Sequence, residues 1–92
     1  MTTKNDIITS LAEKQNLTHK QSGVIVNAIL GEIQDSLARG EKVALTGFGS
    51  FDVRDRAARK GHNPQTGEEI DIAATTVPVF HAGEKLRRAV KH

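Results

Sequence analysis

Arg54, Arg56, Arg59 and Lys60 fall within seven positions with only Asp55 opposing them, and Lys85, Arg87, Arg88 and Lys91 fall within another seven. Clusters of that density suit a polyanion, because lysine and arginine release condensed counterions when they meet a phosphate backbone. The competing reading is that the first cluster only solvates an exposed strand, its arginines pairing with Asp52, Asp55, Glu68, Glu69 and Asp71. Immediately beyond runs Asn63-Pro64-Gln65-Thr66-Gly67. Asparagine before proline, with a glycine closing the run, is strong turn chemistry: proline presets φ and glycine tolerates positive φ. Pro64 at such a turn either sets the backbone alone or acts as an apolar wedge that enters a base step and kinks a duplex. Asn63 and Gln65 could donate to minor-groove acceptors, which separate A·T from G·C only weakly, so sequence preference is expected to be slight.

Other chemistry finds no foothold. His19, His62, His81 and His92 are 43, 19 and 11 positions apart, unlike paired metal ligands, and read as surface groups. There is no cysteine, hence no disulfide or thiolate site, which points to a reducing compartment. No serine sits in a nucleophile elbow, and Gly47-Phe48-Gly49 lacks the lysine and strand-to-helix context of a phosphate-cradling loop. The expectation is a binding protein and not an enzyme, with no cofactor, no metal and no small-molecule substrate. Phe48, Phe51 and Phe80 are the only aromatic residues, and they suit core or dimer contacts better than base stacking, which disfavours a single-strand platform.

The elements that must carry these residues follow from periodicity. Apolar residues recur at Ile7, Ile8, Leu11 and Ala12, then at Val24, Ile25, Ala28, Ile29, Ile33 and Leu37, predicting helices near 3–14 and 18–39. Thr3 precedes Asp6 by three and Thr18 precedes Gln21 by three, each a candidate capping box, and Gly40 is a plausible stop. With Val26 and Leu30 added, the second helix is apolar around roughly 240° of its circumference, at about 100° per residue. One chain of 92 residues rarely covers so broad a face, and it buries only about 60 to 65% of its unfolded surface. A partner subunit is the better reading.

From residue 41 the pattern turns to strand: Val43 and Leu45 alternate, a Gly47-Phe48-Gly49 corner follows, and Phe51 and Val53 alternate again. The alternation fades after Val53 and returns at Ile70 and Ile72, so residues 54–75 are expected to form a hairpin arm around the proline turn. Each leg of roughly ten residues would extend about 33 Å, too far for a body this small to cover. Leu86, Ala89 and Val90 then place a short basic helix over 83–91. The whole reads as one domain: a base over 3–39, a sheet over 41–82 and the closing helix. No apolar run approaches the roughly 18 residues of a membrane span, and no secretory h-region opens the chain, so no membrane association and a cytoplasmic location are expected.

The run Gly47-Phe48-Gly49-Ser50-Phe51, then Arg59-Lys60-Gly61-His62-Asn63-Pro64-Gln65-Thr66-Gly67, then Ile72-Ala73-Ala74 through Val77-Pro78, closely resembles the HU/IHF family of bacterial histone-like proteins over nearly the whole chain. The resemblance implies an α+β intertwined dimer with a helical base, a three-stranded antiparallel sheet per subunit and a long protruding β-hairpin arm that embraces double-stranded DNA from its minor groove. It implies Arg54, Arg56, Arg59 and Lys60 as arm cations, His62, Asn63, Pro64 and Gln65 at the tip with Pro64 intercalating, and Lys4 and Arg87 as body contacts. Ile29, Ile33, Leu37, Phe48, Phe51 and Phe80 would form the dimer core. The implied role is bending DNA and organising the bacterial nucleoid, with bent, nicked or junction DNA favoured. Two other readings stay open: a site-preferring heterodimer subunit of the same family, and a protein–protein interaction module.

The chain departs from the family pattern at His62, where arginine is common, at Glu68 and Asp71, where lysines are common, and at Glu84. These changes lower the charge of the arm. A histidine gains charge as pH falls through its ordinary range, so binding through position 62 would strengthen below about pH 6.5.

Overall fold

The structure, a computed structural model, describes residues 1–91; His92 lies outside the described residues. The chain forms two compact units, Met1–Asp35 and Ser36 onward.

The first unit holds α1 (Lys4–Lys14) and most of α2 (His19–Ala38). Both expected capping boxes are present. Thr3 Oγ1 accepts from the Asp6 N–H at 3.2 Å while the Asp6 carboxylate accepts from the Thr3 N–H at 3.0 Å. Likewise Thr18 Oγ1 accepts from the Gln21 N–H at 3.0 Å, and Gln21 Oε1 accepts from the Thr18 N–H at 2.9 Å. Each box satisfies helix N–H groups that have no intrahelical partner. Asn16 ends α1 at φ 54°, and the Leu17 N–H reaches back to the Ala12 carbonyl at 2.9 Å, the return bond of a left-handed cap. Between the helices, the buried Ser22 hydroxyl donates to the Ile8 carbonyl at 2.7 Å. Ile8 and Ala12 are the buried apolar residues among those described. Val24, Ile25, Ile29 and Leu30 are exposed, so the wide apolar arc of α2 is largely uncovered within the chain.

The second unit opens on the end of α2. Gly40 stands at φ 80°, with Gly40 N–H donating to Leu37 O at 2.9 Å and Glu41 N–H to Ser36 O at 2.9 Å. This is the glycine stop expected from the sequence. Then come β1 (Val43–Leu45), β2 (Gly49–Arg56), β3 (Arg59–His62), β4 (Glu69–Ile72), β5 (Thr75–Ala82) and α3 (Glu84–Val90). A three-stranded antiparallel sheet runs β1-β2-β5, and β3 and β4 pair only with each other. Phe51 and Phe80 are cross-strand partners with ring centroids 4.8 Å apart, and Phe48 adds a third ring 5.6 Å from Phe80. Gly49 is required there: a Cβ would lie 2.5 Å from the His81 carbonyl oxygen and 2.6 Å from the Phe80 ring.

The stretch expected as an arm, residues 54–75, begins within β2, which pairs with β1 only as far as Phe51. β2 continues past Val53 through Arg56, its last rungs being Arg54 with Val77, Asp55 with Thr76 and Arg56 with Thr75. β-Branched partners sustain the ladder here, and the Thr76 hydroxyl donates to Asp55 at 2.9 Å. Pairing lapses across Ala57, Ala58, Ala73 and Ala74, then resumes with Arg59 opposite Ile72. The step from Arg56 to Arg59 equals the step from Thr75 to Ile72, so the register passes through the gap unchanged. Alanine has weak β-propensity and no side chain to pack across strands, which accounts for where the ladder fails.

Candidate nucleic-acid interface

The hairpin turns as the Asn-Pro-x-x-Gly run requires. Asn63 N–H donates to Glu68 O at 2.8 Å and Gly67 N–H to Asn63 O at 2.7 Å, closing a four-residue loop over 64–67. Gly67 takes φ 75°, a value that disfavours any residue with a Cβ. Asn63 Oδ1 accepts from the Gln65 N–H at 2.9 Å, and Thr66 Oγ1 from the Glu68 N–H at 3.2 Å. These side-chain bonds mimic backbone turns and stiffen the tip. Pro64 and Gln65 are exposed at its apex, while Asn63 is half-buried with its oxygen committed to the turn.

The cations divide into two groups. Arg54 and Arg56 stand on β2, opposite Val77 and Thr75, on the two-stranded stretch beyond the reach of β1, which pairs with β2 only from Gly49 to Phe51. Arg59 and Lys60 stand on β3 opposite Ile72 and Asp71, and His62 stands opposite Glu69. Lys60 Nζ donates to the Asp71 carboxylate and lies 3.9 Å from Glu69. Arg54, Arg56 and Arg59 are exposed, and among the described residues none has a carboxylate within ion-pairing distance. The charge pairing weighed from the sequence therefore falls on the lysine and spares the arginines.

Of the expected body contacts, Lys4 belongs to the first unit, where its Nζ donates to Asn27 Oδ1 at 3.0 Å. Arg87 is exposed on α3 of the second unit. His19, His62 and His81 are exposed, as expected of surface groups. The six residues assigned to a dimer core are not buried by their own chain: Ile29, Phe48 and Phe80 are 55%, 50% and 41% exposed, and Ile33, Leu37 and Phe51 are half-buried. Sequence reasoning missed the pairing of Lys60 with Asp71 and the placing of Ile72 opposite Arg59 and of Ile70 opposite Gly61. Counting back from the four-residue loop would have revealed both.

Among the described residues no cluster of three or more histidine or acidic side chains could hold a metal ion, and no helix is long and apolar enough to cross a membrane. A small α+β chain with an exposed hairpin, carboxylate-free arginines and a proline apex defines a class of protein that grips an extended polyanion. The chain belongs to the bacterial DNA-binding protein family, whose model matches residues 2–91. It is 59% identical over 88 residues to the DNA-binding protein HU of Staphylococcus aureus (strain COL), covering 96% of this chain and 98% of that protein. It is 56% identical over 91 residues to the DNA-binding protein HU of Streptococcus pyogenes serotype M18, covering 99% of this chain and all of that one. Among solved structures, an Anabaena HU–DNA cocrystal matches with a TM-score of 0.90 at 43% identity, covering 96% of each chain. An HU variant from Thermotoga maritima matches with a TM-score of 0.72 at 31% identity, covering 97% and 99%. The family resemblance read from the glycine corner and the proline turn is borne out.

Proposed function

We propose that two copies of this chain clasp double-stranded DNA from its minor groove, bend it with little regard to sequence, and so compact and organise the bacterial nucleoid. The observation that carries this reading is the line of exposed arginines at 54, 56 and 59, free of carboxylate partners and leading to a proline apex. Asp52 accepts from the Val53 N–H and Asp55 from the Thr76 hydroxyl, and neither lies within ion-pairing distance of these arginines. The chain's likeness to a protein crystallised on DNA supports the same partner.

Arg54, Arg56 and Arg59 meet phosphates, Asn63, Pro64 and Gln65 engage the groove at the tip, and Lys4 and Arg87 meet flanking phosphates. Lys60, exposed though paired with Asp71 and Glu69, and His62, opposite Glu69, lie on the same hairpin and add contacts beside them. Residues 3–39 form the dimerisation base, with the uncovered apolar positions of α2 and the phenylalanine cluster each meeting the second copy. Pro64 enters a base step, at an unstacking cost of a few kcal/mol that wrapped contacts offset. DNA already nicked or bent avoids part of that cost and binds more tightly.

A mobility-shift series on intact, nicked and four-way-junction duplexes at several salt concentrations tests the proposal. Affinity should fall linearly in log salt and rank nicked and junction DNA above intact duplex. Absence of any shifted duplex at low salt would overturn it.

A further inference from the structure

Helix α2 carries two stripes on opposite sides. At about 100° per residue, Ser22, Ile29, Ile33 and Leu37 line one side, where Ser22 bonds to α1 and the other three belong to the proposed dimer core. Val24, Ala28, Gly31 and Asp35, at intervals of four, three and four, line the other, with Lys20 one turn before Val24.

This outer stripe is exposed, and its own chain does not account for it. Val24 is 63% exposed and forms a shallow apolar groove with Leu17 and Ile25. Glycine inside a helix costs stability, yet nothing lies within 4 Å of where a Cβ on Gly31 would stand, so no packing within the chain requires it. The charges of the stripe run against the helix. Lys20 stands in the first turn of α2 and Asp35 in the last, whereas a helix N-terminus favours anions and a C-terminus cations. Both are exposed, and among the described residues neither has an opposite charge within ion-pairing distance.

A second copy of the same stripe answers all of these features. A two-fold contact is self-complementary: where residue i meets j, j also meets i. Two α2 helices laid antiparallel about a point between Asn27 and Ala28 bring Val24 against Gly31 and, with the same centre, Lys20 against Asp35, each twice. The valine fills the space the glycine leaves, and the small Ala28 lets the helices approach. Each lysine then meets a carboxylate and the negative end of the facing helix. A parallel pairing would instead set lysine against lysine and aspartate against aspartate, which repel.

We propose that the Lys20–Val24–Gly31–Asp35 stripe is a second self-association surface, on which one dimer docks the same stripe of another. The proposal rests on the dimer itself forming through the opposite side of α2. Each dimer carries two outer stripes, so the contact propagates into chains of dimers. The stripe is narrow, so these grow only as concentration rises.

Sedimentation velocity of the full chain over a range of concentrations, at low salt where ion pairs are least screened, tests this. The unaltered chain should form species heavier than a dimer. Lys20→Glu and Asp35→Lys should each lose those species and keep the dimer, and the two changes together should restore them, which a folding defect could not do. The chain has no cysteine, so Val24→Cys mixed with Gly31→Cys under mild oxidation should cross-link faster than either variant alone. Dimers alone at every concentration, or heavier species that survive both single charge reversals, would overturn the proposal, and cross-linking no faster in the mixture would overturn its antiparallel register. Loss of the dimer itself in either charge reversal would overturn the division of α2 into two interfaces. An unaltered chain that stays monomeric would overturn the dimer reading and this one together.

Discussion

Lys60 and Asp71 stand directly opposite each other on the terminal hairpin, and the ammonium donates to the carboxylate. One residue earlier, Arg59 faces Ile72 and has no acidic partner among the described residues. A run of basic residues that looks uniform in the sequence is thus electrostatically uneven, with its useful charge on the arginines.

Arg56→Ala and Arg59→Ala should each weaken duplex binding and flatten its salt dependence. Neutralising one phosphate contact removes a slope of about 0.9 in log K against log salt. Titrating a labelled duplex by fluorescence anisotropy at four salt concentrations checks this, and a slope identical to that of the unaltered chain would remove the residue from the interface.

Pro64→Ala should leave most of the affinity for straight duplex intact while reducing bending. Losing the wedge spares the phosphate contacts but removes the device that unstacks a base step. Ligase-catalysed circularisation of short fragments reads the bend, and circularisation at the unaltered rate would leave Pro64 with only its turn to set.

Thr18→Ala should lower thermal stability by about 1 kcal/mol, the usual loss when an N-cap hydroxyl is removed. For a chain of this size that is a fall in Tm of roughly 4 to 8 °C. Thr18→Ser should recover most of it, as followed by circular dichroism. Equal melting of all three would mean that the Thr18–Gln21 box contributes nothing.

Ile29→Ala should weaken self-association, because an isoleucine that is 55% exposed in the single chain becomes core once a second copy covers it. Truncating a buried isoleucine costs about 2 to 5 kcal/mol. The Tm of the unaltered chain should rise with protein concentration, and that of the variant should be lower at every concentration.

What the sequence disclosed tracks how local each cause is. The caps at Thr3 and Thr18, the stop at Gly40 and the turn from Asn63 to Gly67 depend on residues a few positions apart, and all four are present. The end of β2 was less legible, because Arg54 and Arg56 stay in the sheet through partners more than eighteen positions away at Val77 and Thr75. The same distance hid the Lys60–Asp71 pair, since its register is set by the length of the loop between them and not by either residue. The uncovered arc of α2 was visible in the spacing of Val24, Ile25, Ile29 and Leu30, and it remains uncovered in the single chain.

The mass of the complex with a short duplex, measured by sedimentation equilibrium or native mass spectrometry, tests the central claim most directly. Two chains bound to one duplex, from a protein that is already dimeric when free, is the predicted result. One chain per duplex, or a free monomer that leaves the duplex unbound, would contradict it.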